Sequence, residues 1–112
     1  MRLNEIIDKL DLKLLSGKEP LQTEVVRGYV SDLMSDVIAH GKEGDIWITY
    51  QTHVNVVAIA MMKNMTAVIL IQGRELIPVA AEKAKKEGLP VFSSSESAFE
   101  LVGRLYQLGI PG

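Results

Sequence analysis

GDIWITYQTHVNVVAIAMMKN, residues 44–64, decides the fold of this 112-residue chain. Gly44 marks a turn, residues 46–49 (IWIT) are a short run of strand formers, and Tyr50, Gln51, Thr52 and His53 form a polar loop. An apolar helix follows from about His53 to Lys63. Strand, polar loop and helix in that order are half of a βαβ unit, whose strand-end loop is where parallel sheets hold ligands.

Toward the C-terminus the same unit recurs. Residues 67–71 (AVILI) show no alternation, as expected of a strand covered by helices on both faces. Gln72, Gly73 and Arg74 then lead to a helix over about 78–87, with Pro78 suited to its first turn and Gly88 to its C′ position. A strand over 89–92 leads through Ser93, Ser94 and Ser95 to a helix ending near Leu108 and stopped by Gly109. Ser97 with Glu100 resembles a capping box, and Ala98, Leu101, Val102, Leu105 and Leu108 form the buried face. Strands alternating with helices predict an α/β fold. The expectation is a single three-layer domain over residues 1–112, with a mainly parallel sheet built from consecutive strand–helix units.

Toward the N-terminus, Leu3, Ile6, Ile7 and Leu10 make one stripe of a short amphipathic helix. A strand is expected over 12–15, a turn over 16–20, and a β-rich segment over 23–30. Ser31 reads as an N-cap with Asp32 in the first turn of a helix burying Leu33, Met34, Val37 and Ile38. His40 falls in its last turn and Gly41 takes the left-handed cap. The helices differ in a telling way: 78–87 has a heavily charged outer face, whereas 54–62 carries no charge on any side. Such a helix is either enclosed or meets a second subunit. In so small a domain the second subunit is the expectation.

A net charge of −2, with Lys and Arg spread along the chain, does not indicate a nucleic-acid partner. The longest uncharged segment, 46–62, is interrupted by polar residues, and the first ten residues are too charged for a signal peptide, so no membrane association is expected. With no cysteine, thiol chemistry is absent, and the expected compartment is cytoplasmic. Neither G-x-x-x-x-G-K-[ST], G-x-G-x-x-G nor G-x-S-x-G occurs, so phosphoryl-transfer, dinucleotide and serine-hydrolase machinery is missing. His40 and His53 have no second ligand at metal spacing, and neither a metal nor a cofactor is expected.

Asp32 and Asp36 lie four apart, the spacing of a shared helix face, and read as a capping acid plus a solvated acid or as an acid/base pair. His53, at a helix start, reads as a loop-anchoring or ligand-contacting side chain rather than a general base. Ser93, Ser94 and Ser95 offer hydroxyls and helix-start amides to an anion, and Arg74 offers a cation from the loop between. Together with Ser31, Asp32, Gln51, Thr52 and His53 these residues belong to one carboxyl-end edge of a parallel sheet, and their convergence is the candidate ligand site.

Two stretches, G-Y-V-S-D-L-x-S-D-V (28–37) and G-D-x-W-I-T-x-Q-T-H (44–53), with the later AFELVGRLYQLG, resemble the DRTGG domain over about residues 16–110. The eponymous D-R-x-T-G-G is replaced by V-V-R-G. Such domains are regulatory modules of larger enzymes, including some phosphate acetyltransferases and CBS-domain pyrophosphatases, and resemble the N-terminal non-catalytic domain of HPr kinase. The resemblance implies an α/β fold, a homodimer and a regulatory or ligand-sensing role without catalysis. A small anionic or nucleotide-like ligand suits the strand-end loops. The alternatives are an interaction module docking on another protein, and a small enzyme using Asp32 and His53.

Overall fold

A five-stranded sheet of order β1-β5-β4-β3-β2 organises the computed structural model, which describes residues 1–17 and 22–112. In chain order the elements are α1 (Leu3–Leu10), β1 (Lys13–Ser16), β2 (Arg27–Val30), α2 (Met34–His40) and β3 (Asp45–Thr49). There follow α3 (Val54–Met62), β4 (Ala67–Leu70), α4 (Pro78–Glu87), β5 (Val91–Ser93) and α5 (Ala98–Gln107). Strands β2 to β5 run parallel, each beside the next, and β1 closes the far edge antiparallel to β5.

That order dictates the layers. Right-handed crossovers between strands that always step the same way leave their helices on one face. Accordingly α2, α3 and α4 pack with Trp47, Val68, Leu70 and Val91 on one side. After β5 the chain switches sides, and α5 joins α1 over Ile46, Ile48, Ile69 and Phe92. Every residue of β3 and β4 is buried, the condition anticipated from the unbroken apolar run 67–71. The buried Trp47 indole needs a partner and donates to the Ser31 carbonyl at 2.8 Å.

Both ends of α4 follow local chemistry: Pro78 occupies the first turn and Gly88 the left-handed cap at φ 73°. The N-terminal half departs more. Helix α2 starts at Met34 behind Leu33, so Ser31 and Asp32 lie before it rather than capping it. Only Val37 of its expected apolar face is fully buried, with Met34 packed beside it, while Leu33 (65% exposed) and Ile38 (45%) face outward. The helix has seven residues at the border of its layer, so one narrow stripe meets the sheet. Gly41 is extended (φ −64°, ψ 149°), not left-handed. Glycine is needed there for space: a Cβ would stand 2.5 Å from Met65 Cε and 2.7 Å from the Val37 carbonyl.

Of the β-rich segment 23–30, only Arg27–Val30 is strand, because pairing with β3 starts at Arg27 opposite Asp45. The expected 89–92 strand is shifted to Val91–Ser93, since Ser93 pairs with both Leu70 and Lys13. Ser16 of the expected 16–20 turn belongs to β1, Gly17 is left-handed at φ 101°, and 18–20 lie outside the described residues.

Helix α3 is covered on one side within the domain. It lies between α2 and α4 on the sheet, with Val56, Val57, Ile59 and Ala60 buried. Only a strip of Asn55, Ala58, Met61 and Met62 is exposed. The two neighbouring helices account for the lack of charge on its buried side, and the exposed strip carries no charge either. Among the described residues no helix is long and apolar enough to cross a membrane.

Candidate functional site

The carboxyl ends of β2, β3, β4 and β5 bring four loops to one edge, and hydrogen bonds join each loop to the next. The Asp32 carboxylate, at the end of β2, accepts through Oδ1 from Thr49 Oγ1 at 2.8 Å and from the Tyr50 amide at 2.7 Å. Gln51 Nε2 donates to the Asp32 carbonyl at 3.1 Å, and the Gln51 amide donates to Thr49 Oγ1 at 3.1 Å. Thr49 is buried, so its hydroxyl depends on these protein partners. The acid read as a helix-capping residue is instead the clamp on the β3–α3 loop.

The clamped loop turns the Tyr50 ring outward, 41% exposed, and the Arg74 guanidinium lies over it at 4.0 Å from the centroid. Arg74 Nη2 also donates to Thr52 Oγ1 at 3.4 Å, and the Ile77 amide bonds the Thr52 carbonyl at 3.2 Å. Among the described residues Arg74 has no carboxylate partner, which leaves its charge uncompensated beside an aromatic face.

Two consecutive left-handed residues, Gln72 (φ 55°) and Gly73 (φ 69°), turn the next loop toward the serines. Their amides donate to the Glu96 carbonyl at 2.9 Å and the Ser94 carbonyl at 2.7 Å. Ser93 Oγ donates to the Arg74 carbonyl at 2.9 Å, and Ser94 Oγ accepts from the Glu96 amide at 3.1 Å. Ser93 and Ser94 are therefore buried supports of the Arg74 loop, whereas Ser95 is exposed.

His53 caps α3, its Nδ1 accepting from the Asn55 amide at 3.1 Å, which requires that nitrogen to carry no proton. Ser31 Oγ accepts from the Leu33 amide at 3.2 Å. Neither Asp32 nor His53 bonds to the other, and both serve their own loops, so no proton relay links the pair suggested for a small enzyme.

Asp32 and Asp36 do not form a pair either. Asp36 accepts from the Tyr29 hydroxyl at 2.6 Å and meets His40 Nδ1 at 3.0 Å. The Tyr29 hydrogen bond, followed by those of Ser31 and His40, holds the Asp36 carboxyl below the usual range. The same bond to Asp36 and then burial raise the Tyr29 phenol. Beneath them Arg27 forks onto the fully buried Asp45 at 2.7 and 2.9 Å, and this hydrogen-bonded carboxylate raises the guanidinium pKa. Arg27 also reaches the His40 carbonyl at 2.8 Å, so the group fastens α2 to the sheet.

The edge thus unites Asp32, Gln51, Thr52, Arg74 and Ser93, with Ser31, His53, Ser94 and Ser95 around them. Tyr50, expected in the polar loop, is not among the residues expected at the site. Its signal was an aromatic ring in an otherwise polar strand-end loop, one loop away from an arginine. Clefts lie elsewhere, between β1 and α4 and between β2, α5 and the C-terminal segment.

No protein-family model and no curated protein matches the chain. Among solved structures it resembles the CBS and DRTGG domains of the regulatory region of Clostridium perfringens pyrophosphatase, complexed with the activator diadenosine tetraphosphate. The TM-score is 0.75 at 20% identity, over 98% of this chain and 47% of that one. The chain spans about half the length of that protein's solved region, and the likeness establishes a shared fold with a regulatory region that contains a DRTGG domain.

Proposed function

We propose that this chain is a non-catalytic regulatory domain of the DRTGG type, a single domain over residues 1–112. It senses a small anionic, nucleotide-like ligand at the carboxyl ends of its strands and works as a homodimer. The observation that carries the reading is Arg74, a cation without a carboxylate partner among the described residues, stacked on the exposed ring of Tyr50 beside Thr52. Guanidinium donors suit phosphate oxygens and an aromatic face suits a base, the two halves of a nucleotide. The nucleotide activator bound to the similar pyrophosphatase region supports the same ligand class. Ser31, Asp32, Gln51, His53, Ser93, Ser94 and Ser95 hold or border that contact.

Isothermal titration calorimetry with ATP and with diadenosine tetraphosphate tests it. Loss of one charge-assisted contact costs about 1.5–3 kcal/mol, on the order of ten- to a hundredfold in affinity. Arg74→Ala and Thr52→Ala are expected to weaken binding, and Lys85→Ala, on the outer face of α4, to leave it unchanged. Equal binding by all three variants, or no binding by the wild type, overturns the reading.

A further inference from the structure

Helix α5 buries Leu101 and Leu105 against the sheet, yet it carries a second apolar stripe facing away from it. Phe99 is 86% exposed and Tyr106 70%, with Gly103 between them, and Val30 at the end of β2 lines the same groove at 47%. Nothing lies within 4 Å of where a Gly103 Cβ would stand, so the stripe is two rings flanking a gap. The outer face of α4, by contrast, is built from Glu82, Lys85, Lys86 and Glu87.

We propose that this stripe is the self-association surface of the chain, and that its occupant is the α5 of a second copy. The proposal rests on the homodimer reading above and adds the surface, on α5 rather than α3. At these exposures the two rings present roughly 300 Å². One side of a standard interface covers about 800 Å², of which about 450–520 Å² is apolar. Two residues thus supply more than half of the apolar area on one side of such an interface, in the form of aromatic anchors.

The stripe is also complementary to itself. A twofold axis passing near residues 102 and 103 sets the helices antiparallel, with Phe99 of one copy against the partner's Tyr106. The facing glycines then allow close approach. Sheet extension is a poorer solution, because the Gly28 amide on the open edge of β2 is already taken by the Pro111 carbonyl at 2.8 Å.

Sedimentation equilibrium on the whole chain provides the test, with circular dichroism to check folding. The wild type is expected to be a dimer. Phe99→Glu and Tyr106→Glu each raise the dissociation constant on the order of a hundredfold, while Met62→Glu on the exposed strip of α3 does not. Because the chain has no cysteine, Gly103→Cys supplies a unique thiol. Under mild oxidation it is expected to crosslink into a disulfide dimer, whereas Val79→Cys on α4 stays monomeric on a non-reducing gel. A wild type that is monomeric at every concentration overturns both this surface and the homodimer reading. A wild-type dimer that Phe99→Glu and Tyr106→Glu leave intact, or that Gly103→Cys fails to crosslink, overturns the surface and leaves the homodimer reading standing.

Discussion

Replacing Asp32 by alanine removes the acceptor that joins the β2–α2 loop to the β3–α3 loop. Two donors lose their partner, Thr49 Oγ1 and the Tyr50 amide. They are not equivalent: Thr49 is 1% exposed, whereas Tyr50 lies at the surface where water can replace the lost bond. A stranded buried donor costs about 1–3 kcal/mol and a water-accessible one less, so Asp32→Ala should destabilise the fold by about 2–3 kcal/mol. For a chain of this length that is a fall in Tm of roughly 8–12 °C. Asp32→Asn keeps a carbonyl oxygen in the Oδ1 position, able to accept from both donors, and should cost less than about 1 kcal/mol. Urea unfolding followed by circular dichroism measures both variants. A stability for Asp32→Ala within about 0.5 kcal/mol of the wild type would refute the clamp. Equal damage from Ala and Asn would show that charge, not the acceptor geometry, holds the loops.

Other perturbations probe the frame beneath the site. Arg27→Met leaves the Asp45 carboxylate buried without its cation and should cost about 3–5 kcal/mol in chemical denaturation. Asp36 has a lowered folded-state pKa, so its contribution is present above the unfolded value of about 3.9 and is lost as pH falls through the folded one. Asp36→Asn should therefore flatten the acid side of the stability–pH curve below about pH 4. Gly41→Ala keeps an allowed backbone but drives a methyl against Met65 and the Val37 carbonyl, and a loss of about 1–3 kcal/mol is expected in thermal unfolding.

The features legible in the sequence are those fixed by local chemistry or by burial on both faces. Pro78 and Gly88 bracket α4 because each supplies a backbone conformation that few other residues take as readily. The runs in β3 and β4 announce a doubly covered parallel sheet because every side chain in them is buried. The misreadings come from partners distant in sequence. Ser31 and Asp32 have the composition of a helix start, but the Asp32 carboxylate bonds residues 17 and 18 positions away. Helix α3 buries Val56, Val57, Ile59 and Ala60 for a reason set by strand order, which places α2 and α4 on either side of it. The strand-end edge was legible as a place. Its internal division was not: Ser93 and Ser94 support the rim from within, and Tyr50 stands at its surface beneath Arg74.

If a nucleotide-like anion is sensed at this rim, amide chemical shifts localise it residue by residue. Adding diadenosine tetraphosphate to ¹⁵N-labelled protein should shift the amides of Tyr50, Gln51, Thr52, His53, Arg74 and Ser95 most strongly. Those of α4, on the charged outer face, should stay in place, and Arg74→Ala should abolish the response. Shifts centred on the β1–α4 cleft or on α5, or a spectrum that does not change at saturating nucleotide, would contradict the account.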